Sequence, residues 1–122
     1  MTTASGPLPF TKRQRLLTPS DFKQVFDQTA LRASHRHCLI LARHNLLSQG
    51  RLGLIIAKKH IPLAVERNRI KRLIRESFRH QQQRLAGIDA IVLARKGLDQ
   101  QDNAAIHRLL LQLWQKLLTP RP

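Results

Sequence analysis

Hydrophobic positions along this 122-residue chain follow two rhythms, and the changes between them outline its elements. Thr18, Pro19, Ser20 and Asp21 supply an N-cap, a proline suited to a first helical turn and an acid for the positive helix end. A helix is therefore predicted from here to about Gln28, with Phe22, Val25 and Phe26 on one face. HCLILAR, residues 37–43, is short and apolar like a buried strand, and after the turn-rich residues 45–50 a second such run occupies residues 51–58. These two runs are expected to pair as a hairpin. From Pro62 the rhythm becomes helical, with Ile70, Leu73, Ile74 and Phe78 at spacings of three and four, to about Leu85, and Gly87 stops it. DAIVLAR, residues 89–95, reads as a third buried strand. Asp102 or Asn103 then caps a last helix whose core positions are Ile106, Leu109, Leu110, Leu113, Trp114 and Leu117.

The predicted order is α-β-β-α-β-α, an α+β fold in which a small, mainly antiparallel sheet is packed with helices. Residues 1–9, with their Thr, Ala, Ser, Gly and two prolines, are expected to form a flexible N-terminal segment. Residues 10–119 are expected to form one domain, which suits a chain of this length.

Charge changes the picture from a fold to a partner. The chain carries 22 Lys and Arg against 7 Asp and Glu, a formal net charge of +15, so the folded domain repels itself unless a polyanion neutralises it. Nucleic acid is the foremost such partner and an anionic membrane the second. No apolar run approaches the roughly 20 residues of a membrane helix. One cysteine, Cys38, cannot form an internal disulfide, and MTTASGPLPF does not resemble a signal peptide, so a cytoplasmic location is expected.

The charge concentrates on the segment AKKHIPLAVERNRIKRLIRESFR, residues 57–79. At about 100° per residue, with Arg67 at zero, Ile70, Leu73, Ile74 and Phe78 fall between about 240° and about 20°. Arg67, Lys71, Arg75, Asn68, Arg79 and Arg72 fall between about zero and about 140°, with Arg69 near 200°. One side packs and the other carries charge. Only Glu66 and Glu76 accompany these cations, whereas a solvated helix normally mixes signs to form i, i+4 pairs. Arginine grips phosphates and base edges bidentately, so the face suits an anionic partner. The competing readings are an ordinary basic surface and a membrane-surface or calmodulin-type helix. The latter is weakened because the apolar side is already committed to the core.

Lys58-Lys59, then Ala64-Val65, Arg67-Asn68-Arg69, Lys71-Arg72, Arg75 and Phe78-Arg79 resemble the RNR signature of the bacterial ribonuclease P protein component family. RLLTPSDFKQVF, residues 15–26, is similar to that family's N-terminal element, and IVLARKG, residues 91–97, resembles its last strand. The likeness runs from about Phe10 to Leu118. It implies the protein subunit of an RNA enzyme that removes the 5′ leader from precursor tRNA, with hydrolysis performed by the RNA subunit and its magnesium ions. It also implies a left-handed β-α-β crossover, where general principle favours the right-handed form.

By the same resemblance, Lys58, Lys59, Arg67, Asn68, Arg69, Lys71, Arg72, Arg75 and Arg79 would bind the catalytic RNA. A cleft between the first helix and the sheet would hold the leader, with Phe22 and Phe26 as its aromatics. A flat ring stacks on any base, yet an i, i+4 phenylalanine pair can equally seal a core, and the sequence leaves both readings open. Lys12, Arg13 and Arg15 lie upstream as candidates for the leader phosphates, or as solvated charge. Where many family members carry aromatics on the first sheet strand, this chain has Cys38, Leu39, Ile40 and Leu41, so leader stacking is expected to be thinner.

Neither a protein metal site nor a catalytic residue is expected. His35, His37, His44, His60, His80 and His107 lack ligand spacing, Asp99 and Asp102 sit where a helix cap is the simpler reading, and Cys38 reads as a small buried apolar residue. The expected partners are the catalytic RNA and precursor tRNA, with no membrane and no obligate protein partner. A basic ribosomal protein or general RNA chaperone is the alternative, and an autonomous protein nuclease a more distant one.

Overall fold

The computed structural model describes Arg15 and residues 18–119; the predicted flexible segment, Lys12 and Arg13 lie outside the described residues. Helix α1, Pro19–Asp27, starts as its sequence dictates: the Asp21 amide donates to Thr18 Oγ1 at 3.1 Å and the Thr18 amide to Asp21 Oδ2 at 3.2 Å. This reciprocal box satisfies two amides that a helix start otherwise leaves bare.

Four strands follow: β1 (Leu31–His35), β2 (Cys38–His44), β3 (Arg51–Ile55) and, after helix α2 (Ala64–His80), β4 (Ile88–Ala94). A 3-10 turn at Leu98–Gln100 leads to α3, Asn103–Leu118, whose N-cap Asp102 accepts the Ala105 amide at 2.8 Å. Helix α2 is shorter than its periodicity suggests, because Leu63 rather than Pro62 is its N-cap and its last turn gives way at Gln81 to turns that end at Gly87, φ 78°.

The sheet order is β1-β2-β4-β3, with β1-β2 and β2-β4 antiparallel and β3-β4 parallel. The expected hairpin between residues 37–43 and 51–58 is therefore not formed. The hairpin is β1-β2, closed at His35 and Cys38, and β4 lies between β2 and β3. Strand β1 escapes pattern reading because LRASH is short and has neither β-branched nor aromatic residues. Strand β4, IDAIVLA, is buried at six of its seven positions, which only a central strand covered on both faces allows. Strands β3 and β4 are parallel neighbours joined through α2, which makes the β-α-β crossover.

Alternation along the strands divides the core. Cys38, Ile40, Ala42, Ala90 and Val92 face α2 and α3 together with Ile70, Ile74, Phe78, Ile106, Leu110 and Trp114. Leu41 and Ile91 face Val25 of α1 on the other side. The Trp114 indole donates to Ser77 Oγ at 2.9 Å and meets Phe78 edge-on, so the largest core side chain has its polar atom satisfied.

On the α1 side an acid lies under the helix. Asp89 is 0% exposed, and its carboxylate accepts from Arg51 Nε at 2.8 Å and Nη2 at 2.7 Å and from Asn45 Nδ2 at 2.8 Å, with Arg43 Nη2 at 3.5 Å. Arg43 also donates to Gln24 and Gln28 of α1, and Arg51 lies 3.7 Å from Asp21. The Asp89 hydrogen bonds raise the Arg51 guanidinium above the ordinary arginine value, against the opposing effect of its burial. Burial of this kind demands pairing, and here the pairs reach across three strands into the helix.

Two outcomes follow from this packing. Asp89→Ala leaves two arginines facing each other without their counter-ion and lowers the unfolding free energy by about 3 to 5 kcal/mol in urea titrations; a loss below about 1 kcal/mol would contradict the linking role. Burial pushes the Cys38 thiol up to about 12. At pH 8 a disulfide reagent labels it only as fast as the fold opens, and rapid labelling of native protein would contradict that burial.

Candidate nucleic-acid interface

Helix α2 presents its charge as the projection predicts, but two of its arginines turn back into the protein. Arg67 Nη1 donates to the carbonyls of Ile61 and Pro62 at 2.9 and 2.8 Å, closing the loop that leads into the helix. Arg69 gives Nε to Glu66 at 2.8 Å, Nη1 to Asn103 Oδ1 at 2.7 Å, and Nη2 to the carbonyls of Asp99 and Gln101 at 3.1 and 3.2 Å. That guanidinium fastens α2 to the 3-10 turn and to the start of α3.

The outward stripe is the exposed Asn68 and Arg72 with the half-buried Arg75 and Arg79, beside the equally half-buried Lys71. Arg72, Arg75, Glu76 and Arg79 line a shallow depression of about 190 Å³. Burial, and then the nearby positive charge of Arg15, lower the Arg75 guanidinium below the ordinary arginine value. Arg15 pairs with Leu52 along the outer edge of β3. It therefore lies near enough to α2 for its charge to act on Arg75. A phosphate beside Arg75 would offset the effect of these like charges.

The other face of the sheet carries a second surface. Pairing aligns three rows there: Arg43, Asp89 and Arg51; then Leu41, Ile91 and Gly53; then Leu39, Leu93 and Ile55. Helix α1 covers the first two rows through Asp21, Gln24, Gln28 and Val25. The third row is half-exposed. At 100° per residue, Phe22 and Phe26 lie on the flank of α1 opposite Gln24 and Gln28. That flank borders the half-exposed row. Phe22 is half-buried against the apolar cluster and Phe26 is 44% exposed, so the first leans to the core role and the second to the open one.

Lys58 and Lys59 are exposed, at the turn that follows β3 and not on α2 itself. Asp89 is the positioning residue that pattern reading passed over. The signal was present: an acid near the start of an otherwise apolar strand is a buried partner awaiting a cation. Among the described residues no group of three or more His, Cys, Asp or Glu is placed to hold a metal ion, and no helix is long and apolar enough to cross a membrane.

Fold and surfaces define a class: a small, strongly basic α+β domain with a cationic helix on one side of a mixed sheet and an open apolar face on the other. Comparison narrows it. The ribonuclease P family model matches residues 10–118. A ribonuclease P protein component of Pseudomonas aeruginosa is 51% identical over 113 residues, covering 93% of this chain and 84% of the relative, and one of Pseudomonas entomophila is 50% identical, covering 93% and 85%. The RNase P protein of Staphylococcus aureus superposes with a TM-score of 0.79 at 27% identity, covering 87% of this chain and 98% of that one. That of Thermotoga maritima gives 0.73 at 28% identity, covering 90% and 100%. The chain belongs to the ribonuclease P protein component family.

The two kinds of arginine on α2 separate in experiment. Arg72→Ala with Arg75→Ala leaves stability within about 0.5 kcal/mol and reduces the salt slope of RNA binding by about 1 per lost phosphate contact. Arg69→Ala lowers stability by about 1.5 to 3 kcal/mol, the value of hydrogen bonds made by a charged group. Paired urea and salt titrations check both, and the reverse assignment of effects would contradict the geometry.

Proposed function

We propose that this chain is the non-catalytic protein subunit of ribonuclease P, which holds the catalytic RNA on α2 and the 5′ leader of precursor tRNA on the open face beneath α1. The observation that carries this reading is the placement of two different surfaces on opposite sides of one thin sheet in a member of this family. Lys58, Lys59, Asn68, Lys71, Arg72, Arg75 and Arg79 meet the catalytic RNA, and Arg67 and Arg69 hold that surface in shape. Phe26, with Phe22 behind it, stacks on leader bases over Leu39, Leu93 and Ile55. Arg15 supplies positive charge beside the α2 surface, and Lys12, Arg13 and Arg15 are the candidates for the leader phosphates.

Phosphodiester hydrolysis belongs to the RNA subunit with its magnesium ions. The protein contributes binding and position. Two polyanions brought together repel, and a domain of charge +15 between them replaces counterions that would otherwise have to be gathered from solution. Holding the leader on a rigid face also limits the orientations that the scissile bond samples. The need for this help is greatest where magnesium is scarce.

Purified protein, the bacterial catalytic RNA and a precursor tRNA at low magnesium and near-physiological salt test the proposal. Added protein accelerates leader release at least about tenfold, corresponding to about 1.4 kcal/mol. No acceleration over RNA alone would overturn the reading, and cleavage without the RNA would make the protein itself the nuclease. Phe26→Ala weakens binding of precursor relative to mature tRNA by about tenfold, within the usual value of one stacked base. Equal weakening of both would place Phe26 off the leader.

A further inference from the structure

Between α2 and α3 runs a groove that neither the arginine stripe nor the open sheet face uses. It encloses about 310 Å³ and is lined by Ser77, His80 and Gln81 at the end of α2 and by His107, Arg108 and Leu111 of α3. Each set follows helical spacing, since 80 and 81 lie three and four residues after 77, and 111 lies three and four after 108 and 107. Each helix therefore gives one wall. The volume is at the lower end of small-ligand pockets, roughly 300 to 1,000 Å³, which suits a single base rather than a length of chain. Two clamps hold the walls: Arg69 Nη1 donates to Asn103 Oδ1 at 2.7 Å, and the Trp114 indole to Ser77 Oγ at 2.9 Å. The groove is shaped before anything enters it.

Its lining is mixed in a particular way. Leu111 stands outside the buried stripe of α3 and is 43% exposed, so the groove holds an apolar spot open to water. His80 and His107 bring one flat ring from each helix. Arg84 Nη1 donates to Gln81 Oε1 at 3.3 Å, which leaves the Gln81 amide hydrogens for another acceptor. Arg108 is exposed, and among the described residues it has no ion-pair partner. Apolar contact and flat rings serve a base face, amide hydrogens serve a base edge, and a lone guanidinium serves a phosphate.

Glu76 ties this groove to the arginine stripe. It lines the depression with Arg72, Arg75 and Arg79, and its Oε1 lies 3.9 Å from His107 Nε2. His80 follows Arg79 directly, so the groove starts where the stripe ends. A carboxylate at that junction repels a phosphate but accepts the amino hydrogens of a base. The order along the surface is three cations, one acid, a slot with apolar and flat walls, and a further cation. A stacked duplex has no single base to offer such a slot. A strand that turns one base out presents phosphate, base and phosphate in that order, and turning it out costs least where the base is already unpaired.

We infer that the groove between α2 and α3 receives one unpaired nucleotide of the catalytic RNA, its base against Leu111, His80 and His107 and its phosphate on Arg108. This rests on the reading of α2 as the surface for that RNA. The groove carries the surface onto α3 and adds a contact that depends on RNA shape rather than on charge. It thereby separates the catalytic RNA from other polyanions, which the arginine stripe alone does not do.

Base-specific chemical probing of the catalytic RNA, alone and in the reconstituted holoenzyme, tests the inference at single-nucleotide resolution. Wild-type protein protects one unpaired base beside the α2 footprint. His80→Ala plus His107→Ala returns that base to its reactivity in free RNA, leaves the rest of the footprint in place and weakens binding about tenfold, within the usual value of one stacked base. His80→Phe plus His107→Phe keeps flat rings and keeps the protection; its loss there would make the contact one of charge and overturn the stacking. Both positions are exposed, so urea titrations of these variants match the wild type. Arg72→Ala plus Arg75→Ala is run beside them and weakens the whole footprint. If it does so while the histidine variant changes no single base, the groove is off the RNA, and the inference fails while the α2 reading stands. If wild-type protein leaves no footprint, the α2 reading has failed and the inference with it. Titration of the free protein with adenosine 5′-monophosphate gives no binding at micromolar concentration. Binding there would assign the groove to a free nucleotide and overturn the inference.

Discussion

A carboxylate with no exposure to water has to be matched by cations, and in this protein Asp89 is matched by Arg51 on β3 and Arg43 on β2. That requirement sets more than one ion pair. It places β4 between β2 and β3, because only the central strand can offer one side chain to both neighbours. It also fixes α1, because the same two arginines reach Gln24, Gln28 and Asp21 on one flank of the helix. With that flank tied down, the opposite flank has to carry Phe22 and Phe26 along the uncovered row of the sheet. The aim of the aromatics thus depends on a charge cluster that they do not touch. A hydrophobic pair at the same place would hold the helix as firmly but would leave its rotation less defined.

The sheet that results is thin and two-sided, and its faces differ in kind. Toward α2 and α3 it is sealed by a continuous apolar core. Toward α1 it is only partly covered, and Leu39, Ile55 and Leu93 keep contact with solvent. A family member with a cationic helix on the sealed side and an open floor on the other can touch two nucleic acids at once without either blocking the other. On the proposed function, electrostatics would supply most of the affinity and little of the discrimination, which would fall to the shape and stacking of the open face.

How much of this was legible in the sequence varied with the range of the interactions. The start of α1 was plain, because Thr18 and Asp21 form their box three residues apart, and so was α3, whose Ile106, Leu110, Leu113 and Trp114 keep a helical rhythm. The strands β2 and β4 were visible as apolar runs. The order of the strands was not, since the pairing of Asp89 with arginines 38 and 46 residues away is invisible to any local window. The cationic face of α2 was legible as a stripe, yet the fate of Arg67 and Arg69 depended on where a loop and a 3-10 turn come to rest. For the same reason His80 and His107, 27 residues apart in the chain, gave no hint that they line one groove.

The central claim is that the two faces serve two different RNAs in one complex. A photo-cross-linking side chain at Leu39, on the open floor, and another at Arg72, on the outward stripe of α2, test it in the reconstituted holoenzyme with bound precursor tRNA. The account predicts that position 39 labels the 5′ leader and position 72 labels the catalytic RNA. Labelling of one and the same RNA from both positions would contradict it.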